Sequence, residues 1–200
     1  MRDDTIAAFL DQLAARVPAP GGGATSALHA AQAAALLAMV ARYSDGPAYD
    51  ADVMGQVAAK ADGLRSRALD LAEADATAFG AVAAAYQLPR SASDRPAVIA
   101  SALAGAARPP ADVMRLALRL IALAEALLPV GNRNVITDVG AAAEAARAAA
   151  VTARLNIEVN LRGITDPALR DSLAETAGVA DAVAARADQV VAAVRAEITR

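Results

Sequence analysis

A single aspartate lies on an otherwise apolar helical face, where its carboxylate could move a proton at neutral pH. Counting about 100° per residue places Leu71 and Val82 within about 40° of Asp75. The same apolar face includes Leu64, Ala68, Phe79 and Tyr86. A carboxylate among apolar neighbours is partly desolvated, which raises its pKa toward the range of a general acid or base. The pattern alone also fits a structural aspartate that binds a neighbouring helix end.

A glycine triplet before an uncharged helix is the second feature that could hold a ligand. Residues 17–20 read VPAP, Gly21, Gly22 and Gly23 follow, and segment 24–41 contains no charged residue. Free N–H groups at the positive end of a helix can hold an anion or a negatively polarised edge of a ligand. The same loop could instead only turn the chain before a packed helix.

Asparagines and one aspartate share a face of the helix predicted over 133–161. Asp138 and Asn156 are 18 residues apart in the sequence, or five helical turns, and Asn134 and Asn160 lie about 40° to either side. These side chains could form a hydrogen-bonding surface for a heterocycle, or a polar network that specifies helix packing. Asn132, which follows a glycine in a turn-forming pair, could equally cap the helix.

Other kinds of site lack the residues that they require. The chain has no cysteine, and His29, its one histidine, has no partner at the spacing of a helical metal site, so no metal site is predicted. Lys60 is the only lysine and no Gly-x-Ser-x-Gly motif occurs, which argues against nucleophilic catalysis. A net charge of -3 without a basic run argues against a nucleic-acid partner.

The elements that must position these residues are all predicted to be helices. Prolines fall near the helix ends, and no window alternates as a strand does. With 2% aromatic residues, the core must be built from Ala, Leu and Val. The predicted helices cover residues 5–16, 22–43, 48–88, 94–107, 112–128, 133–161 and 167–198. We therefore expect an all-α antiparallel bundle of long alanine-rich helices, with residues 1–200 forming a single domain.

The uncharged segment 24–41 approaches the length of a membrane-spanning helix. It is half alanine and contains polar side chains, Thr25 and Gln32 among them, which favours a helix buried inside a protein bundle. Asp3 and Asp4 come directly after the first basic residue, so the start of the chain does not resemble a secretion signal. We expect a cytoplasmic protein with no membrane partner.

Four motifs occur in an order that resembles one protein family. They are PAPGGG at 18–23, EADATAF at 73–79 followed by LP at 88–89, GNRNVITDV at 131–139 and LNIEVNL at 155–161. Together they are similar to the cyclodeaminase/cyclohydrolase family, which includes the C-terminal domain of formiminotransferase-cyclodeaminase and stand-alone methenyltetrahydrofolate cyclohydrolases. The resemblance spans nearly the whole chain. The all-helical dimeric fold that it implies agrees with the bundle predicted from the sequence pattern.

This resemblance implies folate one-carbon chemistry in a homodimer, without a metal or redox cofactor. The family's catalytic aspartate matches Asp75. The resemblance assigns substrate binding to Gly21, Gly22, Gly23, Asn132, Asp138, Asn156 and Asn160. In a cyclohydrolase, water adds to the methenyl carbon of 5,10-methenyltetrahydrofolate and the ring opens to 10-formyltetrahydrofolate. In a cyclodeaminase, N10 attacks the formimino carbon and ammonia leaves, so one carboxylate that moves a proton serves either reaction.

Three functions stay open at this point. We expect no attached formiminotransferase domain, which favours a stand-alone cyclohydrolase over a formimidoyltetrahydrofolate cyclodeaminase. A non-enzymatic helical scaffold with the same fold is the third possibility. The presence of Asp75, Asp138 and the glycine triplet weighs against that scaffold.

Overall fold

The computed structural model describes residues 2–199, and within that range it contains helices and no strands. The helices are α1 Ile6–Ala14, α2 Gly22–Tyr43, α3 Ala51–Gln87, α4 Arg95–Ala106, α5 Arg108–Leu127, α6 Ile136–Leu161 and α7 Pro167–Ile198. A short 3₁₀ turn at Arg133–Val135 leads into α6. The prediction of an all-α bundle is confirmed.

Three helix starts differ from the prediction by three or more residues: those of α3, α5 and α6. Helix α6 begins at Ile136 and not at 133, because residues 133–135 form the 3₁₀ turn. The other two differences also have local causes. Helix α3 begins after Asp50, whose side chain accepts hydrogen bonds from the N–H groups of Asp52 and Val53. The start predicted at position 48 was therefore too early, because the cap fixes where the helix begins. Helix α5 begins before the predicted position 112, with Pro109 and Pro110 in its first turn. Proline is tolerated there because N–H groups of the first turn have no helical partner to lose.

Helix α2 is the centre of the bundle and packs against α3, α5 and α6. Its alanines Ala27, Ala30 and Ala34 have no exposed surface, and Leu37 is equally buried. Short side chains allow helix axes to approach closely, so a core with few aromatic residues can still be well packed. Among the described residues α2 alone has the length and composition to cross a membrane, yet 61% of that window is buried inside the protein. This burial agrees with the expected core helix.

Ion pairs attach α7 to the back of α6 and α5. Arg154 Nη1 lies 2.7 Å from Asp181 Oδ1, and Arg147 pairs with an aspartate of α7 further along. Arg186 forms a bidentate ion pair with Glu125, donating from Nε to Oε1 at 2.8 Å and from Nη2 to Oε2 at 2.6 Å. This pair holds the pKa of the Glu125 carboxyl below its usual range. Both arginines of α6 therefore point away from its asparagine face, as the helical periodicity predicts. That face remains available for a site.

Candidate active site

Side-chain hydroxyls fix the first turn of α2, where the glycine loop ends. Gly21 caps the helix in an extended conformation, and the preceding Ala19–Pro20 peptide bond is cis. Thr25 donates its hydroxyl hydrogen to the Gly21 carbonyl at 3.0 Å, and buried Ser26 donates to the Gly23 carbonyl at 2.7 Å. The loop and the helix start are therefore held in one shape.

The Asp75 carboxylate of α3 lies directly against the backbone of Gly23. A Cβ atom built on Gly23 would lie 2.0 Å from Asp75 Oδ1 and 2.3 Å from its Cγ. No carbon atom fits at that distance, so this approach requires glycine at position 23. The negative group at the positive end of α2 is thus the protein's own carboxylate, and this helix end is not open for a separate anion.

The surroundings of Asp75 raise its proton affinity. Leu71 and Val82 on the same helix are 2% and 8% exposed, and the Asp75 side chain itself is half-buried. Burial raises the pKa of the Asp75 carboxyl above its ordinary value, while the backbone N–H of Ala24 acts in the opposite direction. The carboxylate is therefore partly desolvated, as the apolar face predicts, and it remains accessible from one side.

Two asparagines of α6 line the opposite wall. Asn156 Nδ2 donates to the Thr152 carbonyl at 2.8 Å, and Asn160 Nδ2 donates to the Asn156 carbonyl at 2.7 Å. With the amide nitrogens bound to the helix, neither Oδ1 atom has a protein donor within residues 2–199. A Cβ atom on Gly22 would lie 3.4 Å from Asn156 Nδ2, so this asparagine lies alongside the loop. The wall presents two hydrogen-bond acceptors to a ligand.

These groups enclose a cavity of about 180 Å³. Its walls come from Pro18, Ala19, Gly21, Gly22, Gly23, Asp75, Phe79, Ala106, Asn156, Val159 and Asn160. The volume is below the ~300–1,000 Å³ typical of small-molecule sites. A second cavity of about 500 Å³ adjoins it and shares Phe79, Val159 and Asn160. A ligand larger than the first cavity can therefore extend from Asp75 into the second.

Sequence reasoning did not single out three parts of these walls. Phe79 follows Asp75 by one helical turn on the predicted apolar face, yet its side chain is 46% exposed. Val159 lies between the two asparagines and is 66% exposed, which is unusual for an apolar residue in a motif of polar ones. Ala106 comes from the end of α4, and no local signal in the sequence indicates it.

Asn132 is a structural cap. Its N–H donates to Ser44 Oγ at 2.8 Å, and its side-chain amide donates to the Tyr43 carbonyl at 2.6 Å. The amide oxygen accepts from the N–H of Asn134 at 3.0 Å. The Asn132 carbonyl also accepts from the N–H of Val135 at 3.2 Å. Asn132 therefore joins α2 to the start of α6, which is the capping alternative left open by the sequence.

Asp138 shares the angular position of Asn156 but lies far from it along the helix. It is half-buried in the first turn of α6. The 18-residue separation corresponds to about 27 Å at the usual helical rise. The structure thus brings Gly21, Gly22, Gly23, Asp75, Asn156 and Asn160 together, and it does not bring Asn132 or Asp138 into the same cavity. Substrate contact by these two residues stays a prediction.

Ser44 offers a test of the cap. This side chain is 2% exposed, donates to the Val40 carbonyl at 2.8 Å and accepts the Asn132 N–H. Ser44→Ala leaves that N–H without an acceptor, so we expect the free energy of unfolding to fall by about 1–3 kcal/mol. Urea denaturation would measure the change. An unchanged midpoint would contradict the structural role of this link.

Metal ligands were not expected from the sequence. Within residues 2–199 no three histidine, aspartate or glutamate side chains converge as ligands of an ion would. The expectation of a site without a metal stays a prediction.

The fold and the site together define a class: an all-helical bundle in which one half-buried carboxylate faces amide oxygens across a small cavity. The family model for formiminotransferase-cyclodeaminase matches residues 5–178. The chain therefore belongs to the formiminotransferase-cyclodeaminase family, which confirms the resemblance found in its motifs.

Individual relatives agree with this assignment. The chain is 35% identical to methenyltetrahydrofolate cyclohydrolase of Methylorubrum extorquens, over 98% of both sequences. It is 28% identical to formimidoyltransferase-cyclodeaminase of Rattus norvegicus, covering 84% of this chain but only 32% of the rat protein. The crystal structure of formiminotetrahydrofolate cyclodeaminase from Thermotoga maritima matches with a TM-score of 0.89 and 28% identity over 98% of each chain.

Proposed function

We propose that this protein hydrolyses 5,10-methenyltetrahydrofolate to 10-formyltetrahydrofolate. The proposal rests on its similarity, at 35% identity over 98% of both chains, to a protein named methenyltetrahydrofolate cyclohydrolase. The site geometry supports the same reaction, because a half-buried Asp75 faces a cavity that a ligand can enter. The similarity supports the substrate class, and the geometry favours Asp75 as the group that moves the proton.

Asp75 acts in this mechanism as a general base. Its ionised carboxylate accepts a proton from water as the water oxygen bonds to the methenyl carbon, which becomes tetrahedral. The bond from that carbon to N5 then breaks, N5 takes up a proton and the hydroxyl proton is lost, so the formyl group stays on N10 and one proton is released overall. A pKa raised by burial brings the carboxylate closer to the operating pH, where proton transfer is most effective.

The remaining groups orient the substrate. Asn156 and Asn160 present Oδ1 atoms that can accept hydrogen bonds from the N–H groups of a reduced pterin. The exposed ring of Phe79 offers an apolar surface beside the carboxylate. Because Asp75 lies at the N-terminal end of α2, the glycine loop serves mainly to admit this carboxylate and the ring system next to it.

Cyclodeamination of formiminotetrahydrofolate is the second candidate, and the named function of the structural neighbour favours it. In that reaction N10 attacks the formimino carbon and the N10 proton passes to the imino nitrogen. Protonated Asp75 supplies one further proton as the bond from this carbon to that nitrogen breaks, so ammonia leaves and the methenyl cation remains. The same tetrahedral carbon between N5 and N10 occurs in both reactions. The two activities therefore differ in substrate and not in the position of the carboxyl group.

An absorbance assay separates the candidates. The purified protein is mixed with 5,10-methenyltetrahydrofolate, whose near-ultraviolet absorbance disappears on ring opening, and separately with 5-formiminotetrahydrofolate, from which the same absorbance appears. Loss faster than the spontaneous rate supports the hydrolase. Appearance supports the cyclodeaminase, and no change with either substrate favours the scaffold.

We further propose a cytoplasmic homodimer whose interface lies near the folate site and that uses no metal or redox cofactor. Leu155 and Val159 on one face of α6 are 60% and 66% exposed, an apolar surface next to the cavity. We expect a dimer by analytical ultracentrifugation at micromolar concentration, with unchanged activity after treatment with a chelator. A monomer under these conditions would contradict the dimer.

A further inference from the structure

The second cavity has an aromatic wall that is not explained by packing. The whole chain contains two phenylalanines and three tyrosines. Phe79 and Tyr86 both line this cavity and are 46% and 53% exposed. Large aromatic side chains normally bury most of their surface, so two of them along one open cavity indicate a surface for a flat apolar group.

The cavity wall is firmly built. Arg95 donates from Nε to the Leu88 carbonyl at 3.1 Å and from Nη2 to the Tyr86 carbonyl at 3.2 Å. Its guanidinium also lies 6.0 Å from the centre of the Tyr86 ring, so Arg95 holds the end of α3 in place. Opposite, a Cβ atom on Gly163 would lie 2.1 Å from Leu103 Cδ1, which places α4 tightly against the end of α6.

Arg162 differs from Arg95 because its guanidinium has no hydrogen-bond or ion-pair partner within residues 2–199. It lies at the C-terminal end of α6, lines the second cavity and is exposed. Within residues 2–199 no carboxylate pairs with it and no carbonyl accepts from it, although many of the other arginines form ion pairs. A free guanidinium at the edge of an aromatic-walled cavity is suited to bind a carboxylate.

The spacing matches a ligand that begins at Asp75. Asn156 and Arg162 are six residues apart on α6, a rise of about 9 Å. Asp75 and Phe79 line the first cavity, and Phe79 and Tyr86 line the second, so the two cavities follow α3 and α6 in the same direction. The order is therefore a polar pocket, then an aromatic wall, then a cation.

We propose that Arg162 binds the glutamate carboxylates of the folate substrate while Phe79 and Tyr86 contact its aminobenzoyl ring. This inference rests on the proposed folate function and adds a subsite that determines specificity. The ring system that reacts at Asp75 carries an aminobenzoyl group and then glutamate, in the same order as the groups lining the two cavities. Arg162 is a substrate-binding residue and takes no part in proton transfer.

Two substrates and three variants test the subsite. The substrates are 5,10-methenyltetrahydrofolate and the methylamide of 5,10-methenyltetrahydropteroate, which has the same rings but no glutamate. For Arg162→Gln we expect kcat/KM with the folate to fall about 10- to 100-fold, mainly through KM, with the methylamide unaffected. Arg162→Lys should recover part of the loss. The matched control Arg119→Gln removes an exposed arginine that lines neither cavity. It should leave kcat/KM unchanged with both substrates.

Several outcomes would overturn the subsite. If Arg162→Gln loses kcat/KM equally with both substrates, Arg162 only stabilises the end of α6. If it loses none, the glutamate binds elsewhere. Calorimetric binding of both compounds is measured as well, because it does not depend on turnover. Wild-type protein that binds the folate more tightly than the methylamide without hydrolysing it would support the subsite and contradict the cyclohydrolase. Equal affinity would contradict the subsite alone, and no binding would contradict both.

Discussion

Replacing Asp75 by asparagine is expected to lower kcat by about 10²- to 10⁴-fold, the usual effect of removing a positioned acid or base. The amide keeps the shape of the carboxyl group beside Gly23 but cannot accept the proton of the attacking water. Thermal stability should stay the same or rise, because a partly desolvated charge is replaced by a neutral group. Kinetics and a melting curve of the same preparation measure both effects.

A control variant and a pH profile distinguish a catalytic Asp75 from a structural one. Asp70→Asn makes the same substitution on α3 at an exposed residue paired with Arg2, and it should leave turnover unchanged. Because burial raises the pKa of Asp75, wild-type kcat/KM should fall as the pH drops through a value above that of an ordinary aspartate, and the asparagine variant should lack this step. An active folded asparagine variant with a lower melting temperature would make Asp75 structural.

The raised pKa of Asp75 also determines whether folding stability rises or falls with pH. In the folded protein the carboxyl of Asp75 binds its proton more tightly than in the unfolded chain. Between the two pKa values the unfolded chain binds fewer protons, so stability from this group decreases as the pH rises through that window. Asp75→Asn removes this dependence of stability on pH. The gain in stability of the variant over wild type should therefore be largest above the raised pKa of Asp75.

Gly23→Ala is the second substitution with a large expected effect. The added methyl group would lie 2.0 Å from Asp75 Oδ1, so the carboxylate must move away from the start of α2. A displacement of about 1 Å in a catalytic group can reduce the rate about 10²-fold, and we expect a loss of this order in kcat. Helicity should be retained, because alanine is the stronger helix former.

A double variant distinguishes displacement of Asp75 from a general disturbance. In protein that already carries Asp75→Asn, the further change Gly23→Ala should lower the residual activity only slightly, because both changes remove the same proton transfer. Gly178→Ala, at an exposed position of α7 with no atom within 4 Å of the added Cβ, should leave activity unchanged. Fully additive losses in the double variant would show that Gly23 acts independently of Asp75.

The sequence by itself determined the helices and the faces that they present. The predicted bounds of α2 and α7 agree with the structure, because the glycine before α2 and the proline that begins α7 mark helix starts locally. Helical periodicity also placed Asp75 among apolar residues and Asn156 with Asn160 on one face, since the angle around a helix depends only on spacing. The four motifs also indicate the family, and the family model that matches residues 5–178 confirms it.

Only the tertiary structure decided which of these residues meet. Asp138 shares the angle of Asn156 but is about 27 Å away along α6, and periodicity does not show which end of α6 faces Asp75. The axial register of α2, α3 and α6 is set by how their alanine faces pack, which involves residues far apart in the chain. That packing brings Asp75 against Gly23, and it leaves Phe79 and Tyr86 on a cavity wall although their spacing is that of core residues.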